Sequence, residues 1–87
     1  MSFLHKELWL NNNQAVQVRS SHQCNLYLLT DSDFNNYKRG NGFKYYGGFF
    51  TQFPARIVPS HSGRWHLVLD LAGGSATIQH SINIVNI

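Results

Sequence analysis

Cysteine is nearly absent from this chain of 87 residues, and its single thiol belongs to Cys24. An intrachain disulfide or a zinc cluster of thiolates needs more than one cysteine, so both are excluded. The chain also lacks an apolar run close to the roughly 20 residues that a membrane-spanning helix requires. Its first residues have no continuous apolar core of the kind found in signal peptides. We therefore expect a protein of the cytoplasm whose fold depends on packing alone.

Acidic residues are also scarce, with four against seven lysines and arginines. The segment from Phe34 to Leu69 contains no acidic residue, while five of its residues are cationic: Lys38, Arg39, Lys44, Arg56 and Arg64. A locally cationic region favours anionic or hydroxyl-rich partners. The alternative is that these charges only keep the surface solvated.

Alternation of apolar and polar residues, the pattern of half-buried strands, is clearest over residues 63–71. One face of this segment is apolar: Trp65, Leu67, Leu69 and Leu71. The other face, which we expect to meet water or a partner, is more polar: His66, Val68 and Asp70. Residues 77–84 alternate as strictly. If these two strands form a hairpin through the loop at 72–75, Leu69 lies opposite Ile78, and His80 faces the edge of the core beside Leu67.

Four other segments have the composition of short strands, namely 3–10, 14–20, 25–29 and 56–58. Residues 42–53 favour two short strands bent at Gly47 and Gly48. Residues 32–39 predict one short helical turn that Asp31 or Ser32 caps and Gly40 ends. Seven to eight short strands between turns indicate an all-β fold, a small antiparallel β-sandwich of jelly-roll type. At this length we expect one domain over residues 1–87.

Eight of the twelve aromatic residues lie between Phe34 and Phe53, interleaved with cations. Such a segment suits stacking on sugars or bases, although the rings could instead fill the core. We assign Phe34, Phe49 and Phe53 to the core. Tyr45 and Tyr46 cannot both face inward in a strand, so at least one of them should be exposed. The predicted binding residues are therefore Tyr37, Arg39, Tyr45, Tyr46 and Arg64.

No residues form a recognisable catalytic or metal-binding constellation. The five histidines have no spacing typical of a metal site. His66 and Asp70 share a face but lie about 13 Å apart along the strand, beyond hydrogen-bond reach. Cys24 precedes an apolar strand and is better placed as a small core residue than as a nucleophile. We predict no enzymatic activity, no metal and no cofactor.

Several motifs together resemble one bacterial family. They comprise residues 25–37, Arg39-Gly40, Tyr45-Tyr46-Gly47-Gly48, Pro54-Ala55-Arg56-Ile57, Pro59, His61-Ser62-Gly63-Arg64-Trp65-His66 and Asp70-Leu71. The family is domain of unknown function 1883, with a looser likeness to the GOLD and pre-peptidase jelly-roll modules. Its members are small β-sandwich domains. Some stand alone, and others precede a Toll/interleukin-receptor-like domain in bacterial proteins that consume NAD in antiviral defence.

The resemblance implies a role in recognition, as a sensor or adaptor that binds a ligand or protein partner. A second hypothesis is a carbohydrate-binding module that uses the tyrosines as stacking platforms. A third is single-stranded nucleic-acid binding through the cationic aromatic segment. The expected partners are a protein or a small ligand such as a glycan, ahead of nucleic acid. Self-association through an exposed edge strand is a further expectation.

Overall fold

The computed structural model describes residues 3–71 and 79–87, and these form seven strands and one helix. In chain order the elements are β1 (Phe3–Leu10), β2 (Gln14–Ser20), β3 (Cys24–Leu29), α1 (Asp31–Arg39), β4 (Tyr46–Phe50), β5 (Ala55–Ile57), β6 (Gly63–Asp70) and β7 (His80–Asn86). A first sheet has the order β1-β6-β3-β4, and a second has the order β5-β2-β7. All strand pairs are antiparallel. The predicted all-β, sandwich-like fold is confirmed.

Aliphatic side chains from both sheets form the main core. Alternate residues of β3 and β6, including Leu26, Leu28 and Leu67, pack against Val16 and Val18 of β2, and all five side chains are fully buried. Alternation in the sequence therefore marks the face that meets the opposite sheet. Cys24 lies in the same core, as predicted, and burial raises the pKa of its thiol.

Helix α1 covers the other face of the first sheet. It begins after Thr30, whose hydroxyl accepts a hydrogen bond from the Asp33 N–H at 3.3 Å, and ends at Gly40, whose φ of 78° is left-handed. The N-cap is thus one residue earlier than predicted, whereas the end at Gly40 is confirmed. Phe34 and Tyr37, three residues apart, are both buried against the sheet. No helix among the described residues is long and apolar enough to span a membrane.

The outer face of β6 is consequently buried, and the prediction that it meets water or a partner is wrong. His66, Val68 and Asp70 each keep less than a tenth of their surface exposed. The reason is that α1 packs over them. Each polar residue on this face has a partner on the helix: Asp31 bonds to His66, and Tyr37 to Asp70.

The predicted hairpin between β6 and the last strand is also wrong. Strand β6 has β1 on one side and β3 on the other, so both of its edges are occupied. Strand β7 pairs instead with β2, where His80 lies opposite Ser20 and is exposed rather than at the core edge. The proposed loop at 72–75 and Ile78 lie outside the described residues.

Residues 42–53 contain one strand, not two. Strand β4 includes both Gly47 and Gly48, and the residues immediately before Tyr46 pair with no strand. Phe43 packs there against the helix cluster instead. Phe49 lies opposite Asn25 and is 57% exposed, so its assignment to the core is wrong because it points away from the opposite sheet. Phe34 and the partly buried Phe53 do pack in the interior.

Candidate functional site

A cleft of about 560 Å³ opens at one end of the sandwich. It lies between the end of β3 and the beginning of α1 on one side, and the segments that precede β4 and β6 on the other. The lining is a mixture of aromatic, aliphatic and polar side chains: Leu28, Thr30, Asp33, Phe43, Lys44, Tyr45, Tyr46, Ser60, His61 and Trp65. We call it the Tyr45–Tyr46 cleft. Concave sites with aromatic walls and a few polar groups are the usual form of small-ligand sites.

Tyr45 and Tyr46 are the most exposed of the phenylalanine, tyrosine and tryptophan rings that line the cleft, at 48% and 44%. Each is held by a different neighbour. Tyr45 packs edge-on against Tyr27, with ring centroids 4.7 Å apart, and Tyr46 packs edge-on against Trp65 at 5.8 Å. The two rings therefore rest on opposite sides of the first sheet, as alternation requires. The prediction that at least one tyrosine is exposed is confirmed, since both are.

Backbone and side-chain hydrogen bonds fix the walls of the cleft. One carboxylate oxygen of Asp33 accepts from the Lys44 N–H, and the other accepts from the Thr30 hydroxyl, each at 3.1 Å. Asp33 thus joins the first turn of α1 to the segment that carries the tyrosines. On the opposite wall, Trp65 Nε1 donates to the His61 carbonyl at 3.1 Å.

Ser60 and His61 also make a contact that resembles a nucleophile and its base, with Oγ and Nδ1 3.0 Å apart. Ser21 and His22 make the same contact at 2.8 Å on another part of the surface. Because two adjacent serine–histidine pairs behave alike, the contact is a property of the dipeptide on an exposed turn. It does not by itself indicate catalysis.

The structure brings together only two of the five predicted binding residues. Tyr37 is 5% exposed, and its hydroxyl donates to the Asp70 carboxylate, so its ring is unavailable to a partner. Arg39 is exposed at the end of α1, and Arg64 forms an ion pair with Glu7 at 3.1 Å. Neither arginine lines the Tyr45–Tyr46 cleft.

Sequence reasoning missed a chain of hydrogen bonds through His66. Its Nε2 bonds to the Asp31 carboxylate, and its Nδ1 lies 2.8 Å from Nε2 of His5. The Phe34 ring stacks over both imidazoles, with centroid distances of 4.1 and 4.6 Å. Burial, and then the neighbouring His66, lower the pKa of His5. Only correct pairing of β1 with β6, together with the helix placed above them, could have revealed this chain, which we call the His5–His66–Asp31 chain.

No three histidine, cysteine or acidic side chains within residues 3–71 and 79–87 are grouped so that they could hold a metal ion.

Two antiparallel sheets around an aliphatic core, with one covering helix and one aromatic cleft, define a small all-β sandwich domain. The chain belongs to the family described as a domain of unknown function (DUF1883), whose model matches residues 1–87. The family membership predicted from the motifs is thereby confirmed. Neither a curated protein nor a solved structure matches the chain.

Proposed function

We propose that this chain is a non-enzymatic recognition module, a sensor or adaptor, that binds a small ligand or a short segment of a protein partner in the Tyr45–Tyr46 cleft. One observation carries the proposal. Two adjacent tyrosine rings remain nearly half exposed although each is held by a neighbouring ring. Tyrosine combines a large apolar face with a polar hydroxyl, and it is enriched among residues that dominate binding energy.

Preorganisation of the cleft supports this proposal. A ligand that meets ordered side chains avoids much of the entropy that binding would otherwise remove. Asp33 orders one wall through the Lys44 N–H and the Thr30 hydroxyl, and Trp65 orders the other through the His61 carbonyl. A ligand therefore has a defined surface to fit.

A carbohydrate is the second candidate, because the cleft combines aromatic rings with groups that bind hydroxyls. The carboxylate of Asp33 can accept hydrogen bonds, the ammonium of Lys44 can donate them, and the Ser60 hydroxyl can do both. The distribution of cations gives less support to nucleic acid. Arg56 is engaged by Gln17 at 2.9 Å, and Arg64 is paired with Glu7.

The proposed setting is the cytoplasm, where a single thiol remains reduced. The link to bacterial defence rests on the motif resemblance, and the proposed self-association rests on the edge strands β1, β4, β5 and β7.

The test compares Tyr45→Ala and Tyr46→Ala with Phe49→Ala. Phe49 is an aromatic residue on the same strand as Tyr46 and is somewhat more exposed than either tyrosine, at 57%, but it does not line the cleft. Purified protein is titrated with a panel of mono- and oligosaccharides, nucleotides and a single-stranded oligonucleotide, and a lysate pull-down is run in parallel. Each tyrosine variant should weaken an interaction about tenfold or more, since truncation of a central aromatic anchor removes about 2 kcal/mol.

Phe49→Ala should leave the same interaction unchanged. Steep weakening with salt would identify nucleic acid, whereas a neutral glycan should hardly respond. The proposal fails if every interaction detected survives in both tyrosine variants while they remain folded.

A further inference from the structure

His66 bonds to two elements, β1 and α1, which also contact each other on this face through His5 and Phe34. The ring comes from β6 and is 8% exposed, while its two nitrogens bond to His5 on β1 and to Asp31 on α1. A carboxylate can only accept, so Nε2 of His66 carries the hydrogen that Asp31 receives. Nδ1 of His66 and Nε2 of His5 lie 2.8 Å apart, and it remains to be assigned which of these two nitrogens carries the hydrogen between them.

That gap has room for one hydrogen, because one nitrogen must donate and the other must accept. When both rings are neutral, His5 donates to His66. When the pair has gained one proton, either ring can be the cation, and a single hydrogen still lies between them. A second added proton places N–H groups on both sides of the gap, so the bond is lost and two cations face each other.

We propose that the His5–His66–Asp31 chain is a proton-operated latch that ties the start of β1 to α1 across β6 and opens when the histidine pair takes up its second proton. This inference is independent of the proposed function, because none of its three residues lines the Tyr45–Tyr46 cleft.

Charged groups face the pair from each element packed against it. Glu7 lies on β1, Asp31 and Lys38 lie on α1, and Arg64 on β6 is paired with Glu7. Partial burial lowers the pKa of His5 most, and the neighbouring His66 lowers it further. Glu7 raises this pKa by less than His66 lowers it, and Lys38 adds the smallest effect, a lowering. We therefore expect the latch to open at a pH below the ordinary histidine pKa of about 6.5.

The strand that the latch holds is suited to local opening. Within residues 3–71 and 79–87, β1 is an edge strand of the first sheet and pairs only with β6. At its beginning, Phe3 packs edge-on against Phe34 and Tyr37, with centroids 6.3 and 5.2 Å away. Release of this segment uncovers an apolar ring and the paired edge of β6, which is a template for another strand.

The test follows hydrogen exchange of backbone amides in β1 and in the central strand β3 between pH 4 and 7.5. Below about pH 6 the protection factors of β1 should fall by up to about tenfold per pH unit, as one linked proton requires, while those of β3 change less. His5→Gln replaces the imidazole with a neutral donor, so its β1 protection should become independent of pH. His22→Gln, at an exposed histidine whose hydrogen bonds among the described residues go to nearby serines, should behave like the unaltered protein.

Nitrogen-15 spectra of the unaltered protein provide a second measurement that does not depend on any variant. They should show Nε2 of His66 protonated throughout this range, and the His5 ring titrating below the ordinary histidine pKa. The proposal is overturned if β1 and β3 lose protection together, if His5→Gln retains the pH dependence, or if the His5 ring titrates at the ordinary histidine pKa.

Discussion

At the scale of single residues, Tyr37 shows how a predicted surface group can be structural. Its ring is buried beneath α1, and its hydroxyl donates to the buried carboxylate of Asp70. Tyr37→Phe should therefore lower the free energy of unfolding by about 1–3 kcal/mol, because a buried acceptor loses a donor. Urea denaturation measures the change. Tyr45→Phe, which removes an exposed hydroxyl, should stay within about 0.5 kcal/mol, and equal losses in both variants would contradict this account.

Because of the same tyrosine, we expect the stability of the folded protein to be sensitive to high pH. Burial, followed by the hydrogen bond to Asp70, raises the pKa of Tyr37, and burial raises that of Tyr27. The folded protein then retains protons that the unfolded chain loses above about pH 10, so stability should fall as the pH rises beyond that value. Thermal denaturation from pH 8 to 11 should show the fall, and Tyr37→Phe should flatten it. An identical slope in the variant would assign the effect to other groups.

At the scale of elements, strand β4 depends on one backbone position. Gly47 has a φ of 125°, and a Cβ atom there would lie 2.1 Å from the carbonyl oxygen of Leu26 on β3. Gly47→Ala should therefore displace β4 from β3 and cost about 2 kcal/mol or more, with strain and lost pairing both contributing. At neighbouring Gly48 a Cβ atom meets nothing within 4 Å, although φ is 143°. Gly48→Ala is thus a matched control that carries backbone strain without the collision, and chemical denaturation should rank it as the milder change.

The sequence predicted helix α1 but not the face of the sheet against which the helix packs. The capping residues predicted a helical turn over residues 32–39, and Phe34 was assigned to the core, but Tyr37 on the same face was assigned to the binding surface although it is buried. His66 and Asp70 on β6 read as solvent-facing because each is polar. Their partners, Asp31 and Tyr37, lie 35 and 33 positions away in the chain, so no local pattern connects them.

At the scale of the molecule, the sequence predicted which face of β6 meets the main core, but not that its other face is also buried, nor which strands are neighbours. Period-two alternation reports only whether a side chain points toward the core. It assigned Trp65, Leu67 and Leu69 to the interior correctly. It could not choose among partners for β6 and β7. The cleft was predictable only through Tyr45 and Tyr46, because Asp33, His61 and Trp65 reach it from three other segments.

Strand order also determines when the protein can fold during synthesis. Among the described strands only β3 and β4 are consecutive partners, and α1 separates even these. β1 can pair only after β6 has been synthesised, and β2 can pair only after β5 and β7 have been synthesised. A ribosome that has released the first half of the chain therefore presents unpaired apolar strands, which expose the nascent chain to aggregation and make folding slow. Both sheets can be completed only after β6 and β7 have been synthesised, and a chaperone that shields β1 and β2 until then would raise the yield of folded protein.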